Sequence, residues 1–315
     1  MRVAVMDDYG ALAHQFADWQ SLGCEVQFFN DHVVSEDQLA ERLAGFDIVA
    51  VMRERTPFPK SLMARLPRLK LIITTGRQNA AIDVKAAQAL GVTVCGTNSP
   101  GHATAELAFL LILSLARQLV PNVNGLQNGQ WQVALGFDCR GKTLGILGLG
   151  RLGAQVAQMG KTLGMKVVAW SQNLTPEACA AQGVEWVSRA DLFARSDFVS
   201  IHVRLSDRTR SLVGRDELAA LGPQGYLVNT SRAEIVDQAA LLDALNAGTL
   251  GGVATDVYVN EPTTREQDAL LAHPRALCTP HLGYVTRETY EVFYRETVAG
   301  IQAFLKGQPV MVIEP

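Results

Sequence analysis

Residues 142–171 contain the most informative pattern of the chain, KTLGILGLGRLGAQVAQMGKTLGMKVVAWS. A short apolar run ends at Leu147, and it is followed by the turn Gly148-Leu149-Gly150-Arg151-Leu152-Gly153. Apolar residues then recur with a helical period up to a stop at Gly164, and a second apolar run ends at Ser171. The stretch therefore predicts strand, tight turn, helix and strand, which is the context that a G-x-G-x-x-G pattern requires.

The three glycines of this turn have separate mechanical roles. Gly148 permits the tight turn, Gly150 lets a pyrophosphate approach backbone N–H groups, and Gly153 allows the helix to pack on the strand. The amino end of the helix offers N–H donors and a partial positive charge to phosphates. A glycine turn without a ligand is the alternative, but the complete unit favours dinucleotide binding.

The end of the second strand leaves the choice of dinucleotide open. In the fingerprint, an Asp or Glu about 20 residues further on binds the ribose 2′-hydroxyl, whereas this chain has Ser171-Gln172-Asn173 there. No Arg stands next to Ser171 to attract the 2′-phosphate of NADP. We expect limited discrimination with a preference for NAD, because Ser171 can still hydrogen-bond a ribose hydroxyl.

Composition excludes several classes of partner. A length of 315 residues favours two domains, and the net charge of −3 leaves no electrostatic footprint for nucleic acid or anionic membranes. The longest apolar stretch, 107–116, is too short to span a bilayer, and the first ten residues resemble a strand rather than a secretion signal. Five cysteines without a C-x-x-C pair favour a reduced compartment, so we expect a cytoplasmic protein without a bound metal.

Strand and helix patterns alternate along most of the chain, which predicts parallel sheets covered by helices. Strands are expected at 2–6, 25–29, 47–52, 69–74, 92–95, 198–203, 226–229, 252–257 and 277–279, besides the two of the glycine unit. Further helices are expected at 35–43, 82–90, 103–119, from about 215, at 238–246 and at 287–305. Prolines and glycines make 121–141 an expected loop, with Trp131 as a packing anchor. Two α/β halves imply a cleft, and ligands in such sheets lie beyond the carboxyl ends of the strands.

Three polar residues follow expected strands of the second half closely: Arg232, Glu261 and His281. An Arg can hold a carboxylate through two parallel hydrogen bonds, and a His can give or take a hydroxyl proton near neutral pH. A Glu beside the His would orient its ring and favour the imidazolium. Taken singly, each has a plainer interpretation as a surface charge, a loop residue or a structural histidine, which is how we interpret His202 inside its strand.

Four segments in this order resemble the D-isomer-specific 2-hydroxyacid dehydrogenases, a family that includes D-lactate, glyoxylate/hydroxypyruvate and D-3-phosphoglycerate dehydrogenases. They are GILGLGRLG at 145–153, LVNTSRAEIVDQAALLDAL at 227–245, ATDVYVNEP at 254–262 and TPHLGYVT at 279–286. The resemblance covers nearly the whole chain. It implies an α/β fold of two doubly wound parallel-sheet domains, a Rossmann nucleotide domain (99–284) inserted into a flavodoxin-like substrate domain (1–98 plus 285–315).

The resemblance also implies roles for individual residues. Arg232 would hold the substrate carboxylate, His281 would be the general acid in reduction and the base in oxidation, and Glu261 would pair with His281. Asp256 would meet the nicotinamide end of the cofactor. The residues expected along the cofactor are Thr104, Gly148, Gly150, Arg151, Leu152, Gly153, Ser171, Val203, Arg204 and Thr230. The family usually forms homodimers through the nucleotide domain, so the helix at 103–119 and the loop after it are the expected contact.

The chain departs from the family pattern at three places. Ser171 replaces the usual Asp, and His202-Val203-Arg204 stands where His-x-Pro is usual. The substrate loop, commonly rich in Gly with an Asp-Asn pair, is GRQNAAID at 76–83, where the amides of Arg77 and Gln78 should face the substrate carboxylate. The Arg77 cation could favour a second negative group on the substrate, or it could point to solvent.

The expected activity is hydride transfer between NAD(P)(H) and C2 of a small D-2-hydroxy or 2-oxo acid. Oxidation of another small anion, such as formate or phosphonate, is an alternative within the same fold. A dinucleotide-sensing binding protein is an alternative from another class.

Overall fold

The computed structural model describes residues 1–315 and divides them into two compact units, Met1–Pro100 with Thr286–Pro315 and Gly101–Val285. The strands are β1 (Arg2–Val5), β2 (Glu25–Phe28), β3 (Ile48–Val51), β4 (Leu71–Thr74), β5 (Thr93–Cys95), β6 (Thr143–Leu147), β7 (Lys166–Trp170), β8 (Glu185–Trp186), β9 (Phe198–Ile201), β10 (Tyr226–Asn229), β11 (Gly252–Thr255) and β12 (Ala276–Cys278). The helices are α1 (Ala13–Phe16), α2 (Glu36–Leu43), α3 (Lys60–Met63), α4 (Val84–Ala89), α5 (Ala103–Ala116), α6 (Leu119–Gln127), α7 (Arg151–Thr162), α8 (Pro176–Ala180), α9 (Arg189–Ala194), α10 (Arg215–Leu221), α11 (Gln238–Ala247) and α12 (Arg287–Leu305).

The first unit is built on a five-stranded parallel sheet in the order β2-β1-β3-β4-β5. This is the flavodoxin-like order. Strands β3 and β4 are buried at every position, as expected for a sheet with both faces covered. Helix α2 begins at the predicted cap, where the Ser35 hydroxyl accepts the amide of Gln38.

The chain returns to this unit through its last thirty residues. Helix α12 packs on β4 so closely that a Cβ at Gly300 would lie 2.6 Å from the Cδ1 atom of Ile73. Beyond the helix, an isolated antiparallel bridge joins Val312 to Cys95 at the edge strand β5. The final segment therefore covers both a face and an edge of the sheet.

The second unit is built on a seven-stranded parallel sheet in the order β12-β11-β10-β9-β6-β7-β8. Counted from β6, this is the Rossmann order 3-2-1-4-5-6 with one further strand. The predicted fold class, with two doubly wound parallel sheets and the second unit inserted into the first, is confirmed. The sequence predicted domain boundaries at 98/99 and 284/285. The roles given to the two domains, binding of the substrate and of the dinucleotide, remain a prediction.

The region after residue 116 differs from its prediction. Helix α5 ends at Ala116, Gln118 adopts a left-handed conformation with φ of 48°, and α6 covers most of the first half of the expected loop. Pro121 did not prevent this helix, because it lies in the first turn, where its missing N–H has no intrahelical partner to lose. Trp131 does not pack within the chain as expected, since its side chain is 78% exposed.

None of the helices has by itself the length and apolar composition that a membrane span requires. Helices α5 and α6 reach that length and composition only as a pair, with a bend of 67° between them.

Candidate active site

The turn after β6 places its three glycines in three different environments. Gly148 has φ of 104°, and a Cβ there would lie 2.9 Å from the backbone of His202. A Cβ at Gly153 would overlap the carbonyl of Gly148, so the first turn of α7 can pack on the loop only without a side chain. Gly150, the N-cap of α7, faces open space and has no side-chain cap. The cradle therefore fits a pyrophosphate at the amino end of a helix.

The residues expected near the adenosine end lie after β7 and β9, the two strands next to β6. Ser171 directly follows β7 and begins a turn in which its carbonyl accepts the amide of Leu174. Val203 is half-buried against Gly148, and the exposed Arg204 side chain has no ion pair. The residue expected to meet the adenosine ribose, Ser171, therefore offers a hydroxyl group and carries no charge.

Arg232 is held by a turn that Asn229 organises at the end of β10. The Asn229 side chain donates to the carbonyl of Arg232 at 2.8 Å and accepts the amide of Ser231 at 3.0 Å. Nη1 of Arg232 donates to the carbonyl of Ser231 at 2.7 Å. Because β10 pairs with β11, the guanidinium begins at the same carboxyl edge as the segments that carry Glu261 and His281.

Glu261 and His281 form a close pair. Oε2 of Glu261 lies 2.6 Å from Nδ1 of His281, and both side chains are largely buried, at 17% and 19% exposure. Oε1 of Glu261 accepts the backbone N–H of Tyr258 at 2.8 Å. The carboxylate is thus fixed by a donor on each oxygen, and it holds the imidazole ring in one orientation.

His281 itself has an unusual backbone conformation. Its φ is 54°, a left-handed value that is uncommon for residues other than glycine. Asp256, fully buried after β11, accepts the Thr279 hydroxyl at 2.6 Å and the amides of Leu282 and Gly283 at 2.7 and 2.8 Å. Burial raises the pKa of Asp256, while these three donors favour the charged carboxylate. Asp256 therefore holds the loop that carries His281, a role that the sequence did not suggest.

Two threonines of the predicted cofactor path are also placed in this unit. Thr104, in the first turn of α5, donates its hydroxyl to the carbonyl of Gly283 at 2.6 Å. The hydroxyl of Thr230 is buried at the end of β10 without a hydrogen-bond partner in the chain. A buried polar atom without a partner is rare, and the position of this hydroxyl at the carboxyl edge of the sheet is consistent with a bound ligand as its partner.

His202 lies directly after β9 rather than inside it, and its buried Nδ1 has no hydrogen-bond partner within the chain. Its Nε2 lies 2.9 Å from the Ser200 hydroxyl, and burial lowers its pKa to about 4. The ring is therefore neutral at physiological pH and differs from His281 in having no carboxylate beside it.

The other unit contains Arg77 and Gln78 after β4. The Arg77 guanidinium donates twice to Oδ1 of Asn98, at 2.6 and 3.1 Å, so neighbouring groups orient it. Asn98 is fixed in turn by Glu296 of α12 through two hydrogen bonds. The backbone amides of Arg77 and Gln78 donate no hydrogen bond within the chain, which leaves them available to an anion.

Arg53, also in this unit, was not among the residues predicted from the sequence. It follows β3 at the same carboxyl edge, adopts φ of 50°, and extends its guanidinium over Gly76, where a Cβ would overlap it. Its amide donates to Oγ1 of Thr75 at 3.0 Å, and its Nη1 donates to the carbonyl of the same residue at 3.3 Å. An Arg two residues after a buried strand of a parallel sheet was the signal that could have identified it.

Comparisons with known proteins agree with these features. The family model for D-isomer specific 2-hydroxyacid dehydrogenase, NAD binding domain, matches residues 109–283. The chain is similar to a glyoxylate reductase from Thermococcus litoralis, with 36% identity over 79% of this chain and 78% of that one. It is also similar to a glycerate dehydrogenase from Methylorubrum extorquens, with 32% identity over 95% and 98% of the two chains. The crystal structure of a phosphoglycerate oxidoreductase from Vibrio cholerae superposes with a TM-score of 0.93 and 38% identity over 98% of this chain and 99% of that chain. The chain belongs to the D-isomer-specific 2-hydroxyacid dehydrogenase family.

Proposed function

We propose that this NAD(P)-dependent oxidoreductase interconverts small D-2-hydroxy acids and 2-oxo acids, with Arg232, Glu261 and His281 as its catalytic residues. The observation that carries the proposal is the 2.6 Å pair of Glu261 and His281, in the segments that follow β11 and β12. Strand β11 lies between β12 and β10, and β10 presents Arg232. An acid–base histidine and a carboxylate-binding arginine at one sheet edge are what reduction of a 2-oxo acid requires.

The three side chains have complementary tasks. His281 carries the proton that moves to or from the substrate oxygen; with Nδ1 facing Glu261, we assign this task to Nε2 on the opposite side of the ring. Glu261 stabilises the imidazolium and keeps the Nδ1–H tautomer when the ring is neutral. Arg232 binds the substrate carboxylate through its planar fork and thereby sets the face on which the C2 atom is presented.

The nicotinamide cofactor, when bound, supplies or accepts the hydride. Gly150 and the amino end of α7, with Arg151, Leu152 and Gly153, would hold its phosphates. Ser171, Val203 and Arg204 would meet the adenosine end, and Thr104, Thr230 and Asp256 the nicotinamide end. We propose a modest preference for NAD, since position 171 offers a hydroxyl without repelling a 2′-phosphate.

A turnover panel tests the activity. Purified protein is mixed with NADH or NADPH and with glyoxylate, hydroxypyruvate, pyruvate or a dicarboxylic 2-oxo acid, and loss of reduced cofactor is followed by absorbance. We expect turnover of small 2-oxo acids and, for pyruvate, the D-enantiomer of the product on chiral chromatography. An L-product would refute the proposed presentation of the substrate. Cofactor binding without turnover of any acid would instead support a dinucleotide sensor.

We also propose that the protein is a homodimer through the second unit. Helices α5 and α6 and the following loop expose Leu110, Leu126, Trp131 and Leu135, the last at 96%. A depression of about 850 Å³ lies beside them and is lined in part by Leu110 and Leu135. Exposed apolar groups concentrated in one region are typical of an interface between subunits.

Light scattering coupled to gel filtration tests this assembly. The wild type should elute as a dimer, and Leu135→Glu should weaken it. Val34→Glu is the matched control, because Val34 is an equally apolar residue that is 86% exposed in the other unit. A monomeric wild type would contradict the proposal. The five unpaired thiols suit the reducing cytoplasm, which fractionation of the source cells would test.

A further inference from the structure

Tyr258 contacts both segments of the catalytic pair through different groups. Its backbone N–H donates to Oε1 of Glu261 at 2.8 Å, and its hydroxyl donates to the carbonyl of Thr279 at 2.9 Å. Thr279 lies two residues before His281. One residue therefore bridges the loop that presents the carboxylate and the loop that presents the imidazole.

The carbonyl of Thr279 is the point at which the His281 loop turns. It accepts the backbone N–H of His281 at 2.9 Å as well as the hydroxyl of Tyr258. His281 has the left-handed φ of 54°, a conformation that persists only where surrounding contacts hold it. Asp256 supplies contacts on the far side of the loop, at Leu282 and Gly283. On the near side, the Thr279 hydroxyl also donates to Asp256, and Tyr258 adds a contact to the Thr279 carbonyl itself.

We propose that the hydroxyl of Tyr258 is a positioning group for hydride transfer, which holds the His281 loop in register with Glu261. This inference rests on the proposed function of the Glu261–His281 pair and assigns a further residue to it. Burial raises the pKa of Tyr258 above its ordinary value, so the hydroxyl stays a donor over the whole working range of pH. The hydroxyl also lies beside the Cys278 thiol and 3.5 Å from the carbonyl of Thr255, and its shortest contact with oxygen is the one to Thr279.

Removal of the hydroxyl should affect the pair without removing either member. In Tyr258→Phe, the backbone N–H still donates to Glu261, whereas the carbonyl of Thr279 loses its second donor. If this hydrogen bond forms only when His281 is aligned with Glu261, its loss should lower the rate by about 3- to 10-fold. We expect that loss in kcat in both directions, with the KM for NADH unchanged.

Tyr226→Phe is the matched control. Tyr226 lies in the same unit at the opposite, amino end of β10, and its ring stacks on Phe198 with centroids 5.3 Å apart. The same atom is removed there without any contact to the catalytic segments, so kcat should stay at the wild-type value. Thermal unfolding of both variants, with NADH titration to count competent sites, corrects the rates for any loss of folded protein.

A double variant separates positioning from general destabilisation. If the hydroxyl acts by aligning His281 with the carboxylate, Tyr258→Phe should cost little in a Glu261→Gln background, where that alignment is already impaired. Losses that multiply in the double variant, or a Tyr258→Phe kcat equal to that of Tyr226→Phe, would overturn the inference. A wild type that turns over no 2-oxo acid would instead refute the proposed function, so the two failures are distinguishable.

Discussion

Replacement of Glu261 by Gln changes the Glu261–His281 pair, which we propose to be catalytic, with almost no change in the shape of the side chain. Oε1 accepts the backbone N–H of Tyr258, and Oε2 faces Nδ1 of His281 at 2.6 Å. The backbone N–H can only donate, so the amide oxygen of the new side chain must stay on Tyr258. Its NH₂ group then faces Nδ1 of the imidazole.

This reversal of polarity impairs both directions of the reaction. An NH₂ group donates to Nδ1 only when that nitrogen carries no proton, which moves the proton of the neutral ring to Nε2. Such a tautomer of His281 cannot take a proton at Nε2 during oxidation. The imidazolium needed for reduction has N–H groups on both nitrogens, and it therefore places two donors against each other.

The size of the effect can be worked out from these contacts. Loss of a charge-assisted hydrogen bond costs about 1.5–3 kcal/mol, and a buried donor left without an acceptor costs about 1–3 kcal/mol. The sum is about 2.5–6 kcal/mol, or a decrease of roughly 10²- to 10⁴-fold in kcat. Acid supplies the imidazolium without help from a carboxylate. The deficit in reduction should therefore narrow as pH falls, and it should be largest at alkaline pH.

Initial rates from about pH 5 to about pH 9, the range in which histidine titrates, measure this dependence. Both directions are followed by the absorbance of NADH, in the wild type, in Glu261→Gln and in Glu266→Gln. Glu266 is an exposed carboxylate of the same unit, and its replacement should leave the profile unchanged. Wild-type and Glu261→Gln profiles that superimpose after scaling would show that the carboxylate and imidazole are not coupled, and would refute the reasoning.

Three further predictions concern arginines. Arg232→Lys keeps the charge but loses the two-point fork, so kcat/KM should fall by a factor that corresponds to about 2–4 kcal/mol of transition-state stabilisation. The exposed control Arg208→Lys should stay near wild type. Near-normal kinetics in Arg232→Lys would remove Arg232 from the site. Arg53→Ala should raise the KM for dianionic 2-oxo acids more than Arg77→Ala does, because the Arg77 guanidinium is already engaged by Asn98. Equal KM values in both variants and in the wild type would exclude a second anion site. Titration with NADH and NADPH should show affinities that differ by less than about 100-fold, or ~2.7 kcal/mol. A larger preference for NADPH that disappears in Arg204→Ala would identify Arg204 as the selecting residue.

Periodic segments were predictable because local sequence decides them. Helix α12 and strand β10 were predicted with their observed limits, and α2 began at the predicted Ser35 cap. Several strands end one or two residues earlier than expected, as β9 does at Ile201 rather than at 203. The apolar Val203 lies beyond the last paired residue there, and apolar character alone does not mark where pairing stops.

Segments with a weak hydrophobic period were missed, because the prediction depends on a pattern that is visible in the local sequence. The short helices α8 and α9 and the two-residue strand β8 carry too few apolar positions for a period to be visible. The break between α5 and α6 depends on one left-handed residue, Gln118, whose type does not favour that conformation. Tertiary packing decides such a position.

The residues proposed for the chemistry could be named from residue type, but the contacts that support them could not. Arg232, Glu261 and His281 were identified because they follow strands and match family segments. The roles of Asp256 and Tyr258 depend on hydrogen bonds to the loop 279–283, across more than 20 positions of sequence, and no local pattern encodes these contacts. Arg53 was missed because a single Arg after a strand has no periodic signature.

The return of the chain to its first sheet has a consequence for biosynthesis. The amide of Asn98 is held by Glu296, 198 positions later, and at about 5–20 residues per second a ribosome needs roughly 10 to 40 seconds to make the residues between them. During that time β5 is an open sheet edge, and β4 lacks the helix that packs on Ile73. The inserted unit, by contrast, is contiguous from Gly101 to Val285 and can complete its own sheet as soon as it emerges. Nascent chains halted before α12 should therefore contain a protease-resistant second unit preceded by a segment that still depends on chaperones.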